Sequence, residues 1–318
     1  MGSPCSIKIV GPPEPAQLIA EACILEARRF ESVYSRYTSD SIVAKINASA
    51  GVRPVQIDAE CRAILDYAAV CFNLSGGLFD ITAGVLRRVW SRKRTQRPAE
   101  AELAPILELI DFNQVELTED TVFLPRAGME IDLGGVVKEY AADALAQKVQ
   151  NFGIDSAVIN LGGDIFCLGS RTSGEGWQVG IVDPKGGDAI AKVQLVNAGL
   201  ATSGGYERFF EIEGQQYSHI LDPRTGFPVD SLASVSVIAD QTVVAGSAAT
   251  IALLKGEGEG IKWLEGLDCP YLAIDQGGRI SAGVGAGGEK ANLRRTAEPL
   301  RHPLKKQRMG FFNIKANQ

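Results

Sequence analysis

The chain has 318 residues, of which 45% are hydrophobic and 22% charged, and its formal net charge is −6. That balance excludes a disordered or fibrous chain, and no apolar run approaches the roughly 20 residues of a membrane helix. The acidic excess argues against a nucleic-acid-binding surface spread over the whole molecule.

Residues 14–37 read as an amphipathic helix, because Ile19, Ile24, Leu25 and Phe30 recur at helical spacing between charged positions. A second helix is expected over 58–73, stopped by Ser75-Gly76-Gly77. A third is expected from Asp80 or Thr82, either of which can cap it, to Trp90. The basic stretch 91–98 reads as an exposed loop, and another helix follows over 99–111. The periodicity then changes to strands at 114–124, 129–132 and 156–160, with a helix at 136–152 between the last two. Further strands are expected at 164–168, 176–182, 191–196, 206–212, 215–220, 232–239 and 270–275. Helices are expected at 242–254 and 257–266. Helices lead and strands follow, which is an α+β pattern with a mixed or antiparallel sheet and flanking helices. From residue 284 the chain turns polar and basic, and it reads as a flexible extension beyond a main domain over 1–283.

Six cysteines, Cys5, Cys23, Cys61, Cys71, Cys167 and Cys269, form no CxxC pair. They are expected as small buried residues rather than a disulfide framework. The histidines are only His219 and His302, which argues against a multi-histidine metal site. The N-terminus has no basic and apolar export pattern, so the chain as written is expected in the cytoplasm. A periplasmic location is the alternative if a leader is missing.

Four turn-rich clusters concentrate the chemistry. Asp132-Leu133-Gly134-Gly135-Val136-Val137-Lys138 lies between an expected strand and a helix. Paired glycines admit close approach of a ligand, and a helix N-terminus suits a phosphate. Asn160-Leu161-Gly162-Gly163-Asp164 repeats the theme after an apolar strand, and Ala201-Thr202-Ser203-Gly204-Gly205-Tyr206 reads as a small-residue turn. The fourth cluster runs from Tyr217 through Ser218, His219, Asp222 and Pro223 to Thr225 and Gly226. Its Asp-Pro-x-Thr-Gly bend fixes the direction in which His219 points. No cluster fits a dinucleotide fingerprint or a P-loop.

In this order the clusters resemble the ApbE-type FAD:protein FMN transferase family. Its D-L-G-G-[IV]-x-K-G-Y-[AG]-x-D is matched from Asp132 to Asp143, its N-L-G-G-[DN]-I from Asn160 to Ile165, and its A-T-S-G from Ala201 to Gly204. Its S-H-I-[IL]-D-P-x-T-G-x-P is matched from Ser218 to Pro228. Met1-Gly2-Ser3, the segment Ser35 to Asn47, and Gly77-Leu78-Phe79-Asp80 resemble earlier family signatures. The resemblance implies an ApbE-like, T-fold-related architecture. It implies that FMN passes from FAD to a Thr or Ser hydroxyl of an acceptor flavoprotein, releasing AMP, with Mg2+ assisting. By the same resemblance Met1, Tyr37, Leu78, Phe79, Asp80, Asp132, Lys138 and His219 contact FAD. Gly135 and Thr250 would reach the metal, and His219 would be the base. Neither a nucleic-acid partner nor a transmembrane segment is expected, and the sequence leaves the oligomeric state open.

Two positions depart from the family pattern. Lys-Gly-Tyr becomes Lys138-Glu139-Tyr140, and a carboxylate there would oppose phosphate unless it faced solvent. A rotation of about 100° per residue would let it do so. The metal helix A-D-A-[LWF]-A-T becomes Ala245-Gly246-Ser247-Ala248-Ala249-Thr250 and loses its aspartate. Asp240 and Asp164 are the candidate replacements. That loss motivates the alternative reading, an FAD-binding relative with weakened or lost transfer that serves as a chaperone or scaffold.

Overall fold

The computed structural model describes residues 3–91, 94–206 and 208–284, together with the backbone of 294–295 and 310–314. Its main sheet has eight strands, ordered Ile280–Gly283, Tyr271–Asp275, Leu232–Ala239, Ala198–Gly204, Asp164–Leu168, Ala157–Leu161, Cys5–Ile9 and Gly310–Ile314. Every pairing between them is antiparallel. Among the described residues six α-helices accompany it: α1 (Pro13–Tyr34), α2 (Ile42–Ala48), α3 (Ala59–Ser75), α4 (Glu100–Leu107), α5 (Val137–Asn151) and α6 (Thr242–Glu265). No helix among the described residues is long and apolar enough to cross a membrane.

Period-two alternation gives the sheet two apolar faces. Tyr271 and Ala273 pack with Ala245, Ala249 and Leu253 of α6. The intervening Leu272 and Ile274 point the other way, onto Trp177, Ile181, Val193 and Leu195. Those four come from the hairpin Trp177–Val182 and Ala189–Leu195. On the first face α1 buries Ala16, Ile19, Ala20, Cys23, Ala27, Phe30 and Tyr34, a stripe at the expected helical spacing. All six cysteines are free thiols, and five are buried.

Several expected elements change form. The segment after Asp80 is a 3-10 helix, Ile81–Arg88, rather than an α-helix. The Ile81 carbonyl accepts from Asp132 N at 2.8 Å, so it is diverted from α-helical pairing. Residues 129–132 form no strand. Asn47 of α2 clamps Ile131 instead, donating to its carbonyl at 3.0 Å and accepting from its N–H at 2.8 Å. Ala201–Gly204 is no turn but the end of strand Ala198–Gly204. Its residues are small because α6 lies against this strand: a Cβ at Gly199 would sit 2.5 Å from Thr242 N. The two helices expected over 242–266 join as α6, interrupted at Gly256, whose φ of 77° and ψ of −179° only glycine adopts readily. α2 and the strand Ile280–Gly283 are additional elements.

Helices α5 and α6 set the geometry of the site. Gln241, the residue before α6, offers no side-chain cap. Asp143 of α5 supplies one, accepting from Thr242 N at 2.7 Å and Val243 N at 2.9 Å. One turn earlier on α5, Glu139 lies against Gly246, one turn later on α6. The two helices therefore run antiparallel in a four-residue register. One further step brings Gly135 and Thr250 to the same cavity.

Candidate functional site

The glycine turns gather where strands end. Leu161 pairs with Asp164 at the tip of one hairpin, and Thr202 and Ser203 end the neighbouring strand. Gly162 and Gly163 take positive φ, 65° and 96°, as the tight reversal requires. Gly163 N donates to Asn160 Oδ1 at 2.9 Å, and Gly134 N donates to Asp132 Oδ1 at 3.0 Å. Each polar residue that opens a Gly-Gly cluster thus braces its own turn.

A cavity of about 660 Å³ opens over these turns. Its lining includes Tyr37, Leu78, Phe79, Asp80, Asp132, Gly135, Lys138, His219 and Thr250. Met1 lies outside the described residues, as does His302. The volume falls within the roughly 300–1,000 Å³ of small-molecule sites. Tyr37 is 81% exposed at the rim, with the Arg36 guanidinium 5.0 Å from its ring centroid. Leu78 and Phe79 are buried in the wall. The Asp80 carboxylate is turned to structural work, accepting from Thr82 N, Thr82 Oγ1 and Phe112 N at 2.7, 2.6 and 3.1 Å. Burial pushes its carboxyl above the usual aspartate range despite those bonds.

His219 is exposed just past the strand Gln215–Ser218. Its Nδ1 lies 2.9 Å from the Arg208 carbonyl. A carbonyl only accepts, so Nδ1 carries a proton, which in the neutral ring makes Nε2 the acceptor. The bend that follows is rigid: Gly226 N donates to Asp222 O at 2.7 Å, and Arg224 N donates to Asp222 Oδ1 at 2.8 Å. Trp90 Nε1 donates to the Gly226 carbonyl at 2.6 Å, tying this bend to the segment that follows the 3-10 helix.

Arg36, Arg87 and Arg208 also line the cavity, though the motifs assign them no role. Arg36 sits beside Tyr37 in a quoted signature, which was the available signal. Its Nη1 donates to Asp132 Oδ2 at 2.6 Å. Arg87 and Arg208 carried no motif signal.

Glu139 contradicts its sequence reading. It is 7% exposed rather than solvent-facing, because the missing Cβ at Gly246 makes room for it. Its Oε1 lies 3.8 Å from Lys138 Nζ, and Lys138 also pairs with the buried Asp164. Burial, then the neighbouring Asp164 charge, push the Glu139 carboxyl well above the usual glutamate range. Burial pulls the Lys138 ammonium down, but the two adjoining carboxylates outweigh it and leave its pKa raised. Glu139 Oε2 has no hydrogen-bond partner among the described residues. Asp240 is exposed and does not line the cavity, and the cap of α6 is Asp143. Thr250 Oγ1 lies 2.7 Å from Ser203 Oγ. No group of three His, Cys, Asp or Glu suited to a metal occurs among the described residues.

The sequence profile described as the ApbE family matches residues 1–273. A Treponema pallidum protein named FAD:protein FMN transferase is 34% identical over 309 residues, covering 89% of this chain and 85% of that protein. A Klebsiella pneumoniae protein of the same name is 32% identical over 251 residues, covering 76% of each chain. The crystal structure of the ApbE protein from Thermotoga maritima superposes with a TM-score of 0.81 at 29% identity, over 88% of this chain and 94% of that one. The flavin transferase ApbE from Vibrio cholerae gives the same TM-score at 22% identity, a likeness of fold. The chain belongs to the ApbE family.

Proposed function

We propose that this ApbE-family chain is an FAD:protein FMN transferase. It takes FAD as substrate, passes FMN to a Thr or Ser hydroxyl of an acceptor flavoprotein, and releases AMP. One observation carries this reading: the Asp132–Lys138 turn and His219 line a single cavity of about 660 Å³. The family relatives named above support the reaction class.

Transfer of a phosphoryl group depends on positioning and charge neutralisation more than on covalent work by the protein. The apolar wall at Leu78 and Phe79, with Tyr37 at the rim, suits a flavin ring. Lys138, Arg36 and Arg208 bring positive charge to where a diphosphate would lie. The acceptor hydroxyl gives its proton to His219 Nε2 as its oxygen bonds to the FMN phosphorus. The bond from that phosphorus to the bridging oxygen breaks, and AMP leaves with that oxygen. The oxygen-only donors at Gly135, Thr250 and the neighbouring carboxylates fit a hard divalent cation such as Mg2+. When bound, that cation neutralises pyrophosphate charge. The main catalytic unit is residues 1–283, and the basic segment 284–318 adds the edge strand Gly310–Ile314 beside Cys5–Ile9.

Incubation with FAD, Mg2+ and an acceptor flavoprotein domain, followed by denaturation and mass spectrometry, tests the reading. A covalent FMN adduct is expected. His219→Ala lowers its rate by roughly 10²- to 10⁴-fold, the usual contribution of a general base, while FAD still binds. Absence of any adduct from the wild-type chain would overturn the assignment.

A further inference from the structure

We propose that Glu139 supplies the carboxylate of the cation subsite, delivering from α5 the group that the family pattern places on α6 at position 246. The inference rests on the transferase reading above and concerns how this chain completes that site.

The steric record is direct. A Cβ built on Gly246 would lie 2.6 Å from Glu139 Cγ, 3.1 Å from its Cδ and 3.2 Å from its Oε1. The carboxyl of Glu139 therefore occupies the space into which a side chain at 246 would project. The two departures from the family pattern therefore read as one exchange, because a side chain at 246 and the Glu139 side chain as placed compete for one space.

The electrostatic record agrees. Glu139 is 7% exposed, and its Oε2 has no hydrogen-bond donor among the described residues. A buried acceptor left in that state is costly unless a ligand meets it. Lys138 is a single ammonium shared between Glu139 and Asp164. Glu139 also faces the Asp164 carboxyl, so two acids meet one ammonium in this corner. Gly135, in the turn before α5, and Thr250 of α6 line the same cavity as Glu139, so the wall offers carbonyl, hydroxyl and carboxylate groups. A hard divalent cation takes that donor set.

Titration of Mn2+ into the full chain, with and without FAD, tests this with free Mn2+ read by electron paramagnetic resonance. The wild type is expected to bind. Glu139→Gln keeps the shape and removes the charge. It should weaken binding by at least the roughly 10- to 100-fold that outer-shell groups alone contribute at metal sites. Gly246→Asp alone should fold poorly, since the two side chains collide, whereas the exchange Glu139→Gly with Gly246→Asp should fold and recover binding. Unchanged Mn2+ affinity in Glu139→Gln, or no binding by the wild type in either condition, overturns the proposal. In that case Lys138 is the resident cation. Transfer that persists in EDTA without any Mn2+ binding would sink the subsite and leave the transferase reading standing. Mn2+ binding that depends on Glu139, with no FMN adduct under any metal, would do the reverse.

Discussion

Two acids on α5, buried Glu139 and half-buried Asp143, stand one turn apart and face the same neighbour, yet they are treated in opposite ways. Asp143 accepts two backbone N–H groups at the start of α6 and completes that helix. Glu139 faces α6 one turn further along and leaves Oε2 with no donor among the described residues. Burial raises the carboxyl pKa of both. The difference is what each acid meets. An uncapped helix end has surplus donors, whereas the middle of a helix has none to give. An acid placed opposite a helix middle needs its counter-charge from elsewhere, and Lys138 is the group at hand.

Lys138→Met gives the largest test of that contrast. It strips the shared ammonium from Asp164, 2% exposed on its side chain, and from Glu139. Breaking a buried ion pair on one side costs about 3–5 kcal/mol. The loss should appear in urea unfolding and should shrink when Mn2+ is added. If stability is unaffected, the idea that this corner depends on a cation fails.

Asp143→Ala probes the other acid. It leaves two helix-end donors unmet, for an expected loss of about 1–3 kcal/mol in the same measurement. Mn2+ affinity should change little, because Asp143 serves the helix and not the cavity. A large fall in affinity would blur the distinction between the two acids.

The smallest effect sharpens it most. Gly246→Ala pushes a methyl against Glu139 Cγ and should cost about 1 kcal/mol net, since crowding of about 1–3 kcal/mol outweighs a helix-propensity gain of about 1 kcal/mol. With Glu139→Gly already in place, the same change should stabilise by about 1 kcal/mol, since only the propensity gain remains. Calorimetric unfolding of the four proteins gives the coupling. Additive values would mean that 139 and 246 do not compete for one space.

Much of this was legible because the signals were local. Gly76 closes α3 in the left-handed region where the glycine stop is expected, and Asp58, at the expected start, accepts from Cys61 N. The Gly-Gly turns carry their own bracing at Asp132 and Asn160. What escaped depends on partners distant in sequence. The extended run 129–132 looks like a strand until Asn47 takes its hydrogen bonds. The small residues of 201–204 look like a turn until α6 is seen pressed on them. The burial of Glu139 is hidden from the sequence for the same reason. Helical rotation fixes its angle to Lys138, but whether that angle meets water depends on the side chain missing 107 residues later, at Gly246.

The break at Gly256 governs how far such errors could spread. Everything that bears on the cavity, Gly246, Thr250 and Leu254, precedes it, and Trp263 and Leu264 follow it. One residue inserted ahead of the break would turn Thr250 away by about 100° if it fell between 246 and 250. The same insertion after it would leave the spacing from Gly246 to Thr250 unchanged and would act on the distal segment, which folds back so that Gly260 lies against the Ala252 carbonyl and Trp263 beneath Lys255.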